Sequence, residues 1–179
     1  MAEGSSQLVR DDRRDPPATG GGGGLTVVVT SVASDAHTWN LVFLQLTLEE
    51  LGHRVRNLGA CVPDDLLVAE CLRIRPDLVV VSSVNGHGFR DGTRLIGRIR
   101  ACPELAATPV VIGGKLGIAG PGGDRSRDQL LAAGFDAVFE ADAGIDALRS
   151  MTEQLTVIRQ SPASQPAGLR TNYRKVDHQ

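Results

Sequence analysis

The feature that most constrains this chain is an alternation: from Leu25 to Leu155, short aliphatic runs of strand length take turns with helical stretches without a break. Leu25–Val32 (LTVVVTSV) is rich in β-branched residues, and Thr38–Leu51 follows with helical spacing and a glycine, Gly52, where a C-cap belongs. Arg54–Leu58 and Leu78–Val81 are the next strands. Between them lies a helix over Pro63–Ile74, opened by a proline suited to a first turn and stopped by Pro76. A helix from Arg90 to Ala101, a strand over Pro109–Ile112, a helix over Arg125–Ala133 closed by Gly134, a short strand over Ala137–Phe139 and a last helix over Ile145–Leu155 complete the series. Only 3% of the residues are aromatic, so the core must be built from Val, Leu, Ile and Ala, which suits a parallel sheet covered by helices. Short right-handed crossovers then predict an α/β fold: a doubly wound, flavodoxin-like (Rossmann-like) five-stranded parallel sheet of order 2-1-3-4-5. A dinucleotide site is disfavoured, because the turn after the first strand reads SVASDAHTWN and lacks GxGxxG.

The flanks differ in composition. Residues 1–24 carry charges, Pro16, Pro17 and the run Gly20 to Gly24, which cannot bury enough apolar surface to offset the entropy of ordering; they are expected to form a disordered leader. The segment 156–179 is polar and proline-interrupted and is expected to be a disordered tail, leaving 25–155 as one domain. A net charge of -2 without clusters of Lys or Arg gives no electrostatic reason to expect nucleic acid as a partner. No apolar run approaches the roughly 20 residues that span a bilayer, so no membrane association is expected. Three widely spaced cysteines, Cys61, Cys71 and Cys102, form neither a disulfide framework nor a CxxC site, and a reducing cytoplasm fits best.

In an open parallel sheet, ligands sit outside the carboxyl ends of the strands, near the point where strand order reverses. Three segments there have unusual content: Ser34-Asp35-Ala36-His37 after the first strand, Ser82-Ser83-Val84-Asn85-Gly86-His87-Gly88 after the third, and Gly113-Gly114 after the fourth. A histidine two residues beyond a carboxylate can offer one ring nitrogen to a metal while the other donates to the carboxylate. A single histidine is not a zinc site, and the metal would have to arrive with its other ligands, as it does in a macrocycle. The bland reading is a helix cap at Asp35 and a surface loop residue at His37.

On these residues the chain resembles the small cobalamin-binding subunit of glutamate mutase, also called methylaspartate mutase. That family carries Asp-x-His-x-x-Gly, then Ser-x-Leu, then Gly-Gly; this chain has Asp35-x-His37-x-x-Asn40, Ser82-x-Val84 and Gly113-Gly114. The resemblance implies adenosylcobalamin as cofactor, bound base-off with His37 as the lower axial cobalt ligand and Asp35 on the far side of its ring. It further implies Ser82 at the displaced benzimidazole, and Gly113 and Gly114 leaving space for the nucleotide tail. Ser34, Ala36 and Val84 complete the implied cofactor-binding set, which contains no catalytic residue. The implied reaction is a carbon-skeleton isomerisation, L-glutamate to 3-methylaspartate, begun by homolysis of the cobalt–carbon bond and carried out only in complex with a large, barrel-type catalytic subunit. Asn40 departs from the pattern where Gly is expected, and Val84 replaces Leu with nearly conserved volume.

Other readings stay in view: a corrinoid carrier or cobalamin-responsive regulator, the small component of a methylmalonyl-CoA-type mutase, and a receiver-like module without corrinoid. A receiver would want an acidic pair after the first strand and an Asp after the third, where Ser82-Ser83 stands. Trp39 is expected either to pack on the macrocycle or to anchor its helix, His87 to be a solvated loop residue, the cysteines to lie in the core or on helix faces, and Gly86, Gly88, Gly92, Gly117, Gly120, Gly122 and Gly123 to serve turns.

Overall fold

A computed structural model describes residues 23–117, 123–140 and 144–161, so all but the last two residues of the expected leader (1–24), and the part of the expected tail (156–179) beyond 161, lie outside the described residues. The elements alternate as β1 (Thr26–Ser31), α1 (Trp39–Glu50), β2 (Arg54–Asn57), α2 (Asp64–Ile74), β3 (Leu78–Ser83), α3 (Gly88–Arg100), β4 (Val110–Gly114), α4 (Gly123–Ala133), β5 (Ala137–Glu140) and α5 (Gly144–Gln160), with a short 3-10 turn at Pro103–Leu105. All strand pairs are parallel and the order is β2-β1-β3-β4-β5, as the alternation predicts.

The sheet is doubly wound because its central strands are apolar on both faces. Val28, Val79, Val81 and Ile112 point into a core with Leu67, Leu95, Ile96 and Leu130 from α2, α3 and α4. Val27, Val29, Val80 and Val111 point the other way, against Leu41 and Leu48 of α1 and Leu148 of α5. Every residue of β3 is buried.

Two strands run further than their apolar composition indicates. Ser82 and Ser83 are the last residues of β3 rather than loop residues, and Gly113 and Gly114 close β4. The pairing extends over them, Ser31 opposite Ser82 and Ser82 opposite Gly113, because a backbone ladder does not depend on apolar side chains. Helix α3 starts at Gly88, two residues early, and Gly88 and Gly92 therefore serve packing rather than turns. A Cβ on Gly92 would lie 2.6 Å from Ile112 Cδ1, so the missing side chain lets the helix approach the sheet closely. Gly86 and Gly117 do sit in turns with positive φ, and Gly120 and Gly122 lie outside the described residues.

Helix α5 continues five residues past Leu155, through part of the expected tail. Tertiary bonds hold that extra turn to the amino end of the sheet: Arg159 donates to Asp77 Oδ2 at 2.6 Å and to the Gly24 carbonyl at 3.2 Å. Among the described residues no helix is long and apolar enough to cross a membrane.

Candidate functional site

Beyond Ser31 the chain folds back beneath its own loop. Ser31 Oγ donates to the Asp35 carbonyl at 2.8 Å, and that carbonyl also accepts the Cys61 N–H at 3.0 Å, so the loop backbone is tied down from both sides. The Asp35 side chain is then fully buried. Its Oδ1 accepts the His37 backbone N–H at 3.1 Å, an Asx-type turn, and lies 2.6 Å from His37 Nδ1. Its Oδ2 accepts the backbone N–H groups of Val84 at 2.6 Å and Asn85 at 3.3 Å, from the loop after β3. Burial alone would raise this carboxyl's pKa. The bonds from Val84, from His37 backbone and ring, and from Asn85 outweigh it and hold the group below the ordinary carboxylate range. An ionised carboxylate can only accept, so Nδ1 carries the hydrogen, and the tautomer this selects for a neutral ring is the one whose Nε2 holds the lone pair. The ring bearing that nitrogen is 59% exposed. Asp35 is therefore no helix cap; α1 opens at Thr38 without a side-chain cap bond.

Ser34 and Ala36 flank this pair on the exposed side of the loop. Ser34 Oγ donates to Asp91 Oδ2, and Asn85 Nδ2 donates to the Ser34 carbonyl at 2.9 Å and its hydroxyl oxygen at 3.0 Å. Asn85 Oδ1 accepts the His87 N–H at 2.9 Å, so one carboxamide clamps the two loops together. Sequence reasoning missed Asn85 and Asp91 as site supports. The Asn85-Gly86 pair marks a turn and could have flagged the first. A lone Asp in a polar helix carries no signal of burial, yet Asp91 is 3% exposed.

On the same rim, starting at Asn40 and without His37 in its lining, a groove opens between α1, α5 and the ends of β3 and β4, with a volume of about 240 Å³. Ser82, Val84, Gly113 and Gly114 line it, together with Asn40, Phe43, Phe139, Ile145 and Leu148. Four of the residues picked out in sequence thus meet on one wall. Gly114 has φ +101, and a Cβ there would sit 2.4 Å from the Ser83 carbonyl oxygen, so only glycine closes β4 in this way. Whole-ligand pockets typically measure about 300–1,000 Å³, so this groove suits one part of a larger ligand. Asn40 reaches across it: Nδ2 donates to Ser82 Oγ at 2.6 Å, while Oδ1 is buried without a partner.

The remaining residues sort simply. Trp39 is 78% exposed and does not anchor α1. His87 is exposed at the start of α3 and makes no side-chain cap bond. Cys71 is buried, its thiol pushed up to about 12, whereas Cys61 is an exposed loop residue with φ 53, neither core nor helix face. Among the described residues no group of three or more His, Cys, Asp or Glu gathers to hold a metal.

The fold and the rim together define a flavodoxin-like domain with its candidate ligand site at the carboxyl end of a parallel sheet. A family model described as the B12 binding domain matches residues 25–143. The Glutamate mutase sigma subunit of Halobacterium salinarum is 31% identical over 144 residues, 80% of this chain and 95% of that one. The chain belongs to the B12-binding domain family. Among solved structures, the Methanosarcina barkeri monomethylamine corrinoid protein superposes with TM-score 0.59 at 16% identity, over 74% of this chain and 58% of that one. A receiver domain of a histidine kinase from Syntrophus aciditrophicus reaches 0.58 at 18% identity, over 81% of this chain and 100% of that one. The two fold likenesses are nearly equal, so they speak for the fold alone.

Proposed function

We propose that this chain is the cobalamin-binding small subunit of an adenosylcobalamin-dependent carbon-skeleton mutase of the glutamate mutase type, holding the corrinoid base-off with His37 as axial ligand to cobalt. The observation that carries the reading is the Asp35–His37 pair, with an ionised buried carboxylate 2.6 Å from Nδ1 and an exposed ring. The residues present fit the group. A lone imidazole suits a metal that brings its other ligands, the adjacent groove admits part of a ligand, and a buried Asn40 oxygen there lacks a donor.

When bound, adenosylcobalamin supplies the radical chemistry that starts a rearrangement such as L-glutamate to 3-methylaspartate. The chain's own residues bind and orient. His37 would hold the metal, and Asp35 would keep its ring in one tautomer and raise its basicity. Ser82 would contact the displaced base, Val84 would line the same groove, and Gly113 and Gly114 would leave space for the nucleotide tail. Ser34 and Ala36 bound the cofactor loop.

Among the described residues the groove lining contains no charged side chain and so offers nothing to an amino-acid dicarboxylate, which needs convergent cations in a closed cavity. A large catalytic subunit of barrel type is expected to supply that cavity and to close over the rim near Thr38, Asn85 and Lys115, excluding water. Mixing the chain with a mutase large subunit, with and without adenosylcobalamin, and assaying 3-methylaspartate tests this. Turnover is expected only with all three components. Cofactor-dependent association without rearrangement would move the function to another mutase or to a carrier, and turnover by this chain alone would overturn the division of labour.

A further inference from the structure

We propose that Asn40 sets the groove's specificity for the nucleotide tail of the corrinoid, by aiming the Ser82 hydroxyl at the base and by taking a donor from the same tail. The inference rests on the cobalamin-binding reading and concerns a position where this chain departs from the family pattern. Asn40 sits in the first turn of α1 and lines the groove. Because its Nδ2 donates to Ser82 Oγ at 2.6 Å, it occupies an acceptor site on that hydroxyl and leaves the hydroxyl hydrogen to point elsewhere. A ring nitrogen of a displaced benzimidazole has a lone pair and no hydrogen, so it is the kind of acceptor such a hydroxyl needs. Hydrogen bonds arranged in series polarise one another, which strengthens the outer one.

The other half of the carboxamide argues the same way. Asn40 Oδ1 is buried and unpartnered among the described residues, and a buried acceptor without a donor is an unfavourable state that a ligand can relieve. The tail's ribose hydroxyls are donors of the right kind. A side chain that merely narrowed the groove would have no reason to bond Ser82 or to leave an acceptor waiting. Glycine at the same place would open the groove and leave Ser82 without this partner.

Cobinamide, which lacks the nucleotide, provides the control, since His37 can meet its cobalt but nothing enters the groove. Affinities for cobalamin and cobinamide, each followed by absorbance, are measured for the wild-type chain and for Asn40→Gly and Asn40→Asp. Their ratio cancels any general loosening of α1. The wild type is expected to prefer cobalamin, Asn40→Gly to reduce that preference about two- to tenfold, and Asn40→Asp to reduce it on the order of tenfold or more, because a carboxylate would draw the Ser82 hydrogen to itself. An unchanged ratio in both variants, or tighter cobalamin binding by Asn40→Gly, would overturn the proposal while leaving the cobalamin reading intact. A wild-type chain that binds neither corrinoid would remove both.

Discussion

Two buried acidic clusters at the carboxyl end of the sheet invite comparison. Asp91 and Asp64 are 3% and 9% exposed, and both are bonded by one guanidinium: Arg94 Nη1 reaches Asp91 Oδ1 at 3.0 Å, and Arg94 Nε reaches Asp64 Oδ2 at 2.7 Å. At the amino end, Asp77 and Asp136 likewise pair with Arg159 and Arg100, and each also accepts a strand N–H. Asp35 is buried more completely than any of these, yet its partners are three backbone amides and a histidine ring. The difference separates two uses of a buried carboxylate. One satisfied by arginine has its charge cancelled and is a fastening. One satisfied by dipoles keeps its charge, and passes it through an imidazole to whatever that ring binds.

The sharpest way to break this comparison is to remove the ring. His37→Ala is expected to lower cobalamin affinity by more than the roughly 100-fold upper range for losses one shell away from a metal. It should lower the urea-unfolding midpoint only slightly, since the ring is exposed and the Asp35 carboxylate, though it loses one bond, keeps three backbone amides. Electron resonance of the cob(II)alamin form should show histidine nitrogen coupling in the wild type and none in the variant. Equal affinity in the two proteins would reduce His37 to a surface residue.

The next largest effect belongs to Asp35→Asn. An amide is a poorer acceptor for the imidazole N–H, so affinity is expected to fall about 10–100-fold with the fold retained, as read by cobalamin titration alongside circular dichroism. Loss of folding with unaltered affinity in the folded fraction would place Asp35 among the fastenings instead.

Asp64→Asn sharpens the contrast from the other side. It weakens the bond to the half-exposed Arg94 and should lower stability by about 1 kcal/mol in urea unfolding, discounted for solvent screening. Cobalamin affinity should not change.

The smallest effect is a pH dependence remote from the rim. His53 is buried and accepts the Leu25 N–H at 3.3 Å, and burial lowers its pKa from the ordinary 6.5. A histidine depressed in the folded state stabilises fully above its unfolded value, and the contribution is lost as pH falls below about 6.5. Asp35, also depressed, adds a separate loss only as pH falls below the ordinary 3.8. Unfolding of His53→Gln across pH 5 to 8 should give a flatter profile than the wild type, and identical slopes would exclude His53 as the titrating group.

The order of strands was legible because it follows from period and composition alone: Leu78–Val81 reads as a buried strand in any context, and five such runs between helices admit few topologies. Element ends were less legible. Ser82-Ser83 and Gly113-Gly114 read as loops because they lack apolar side chains, but the ladder carries them as strand. The end of α5 was hidden for a related reason, since Thr156–Gln160 is held by Asp77 and by the backbone of Gly23 and Gly24, more than 80 residues away in sequence.

Within the site the division runs along distance in sequence. Asp35 and His37 are two residues apart, so spacing alone determined that a carboxylate could meet an imidazole, just as it determined which segments line the rim. Whether Asp35 would be ionised, and hence which ring nitrogen would be free, depended on the amides of Val84 and Asn85, some 50 residues on. That Asn40 would reach Ser82 rather than solvent depended on α1 docking beside β3. Sequence determines what each short stretch can do on its own; charge states and partners depend on desolvation and on donors brought from afar, and only the packed sheet decides those.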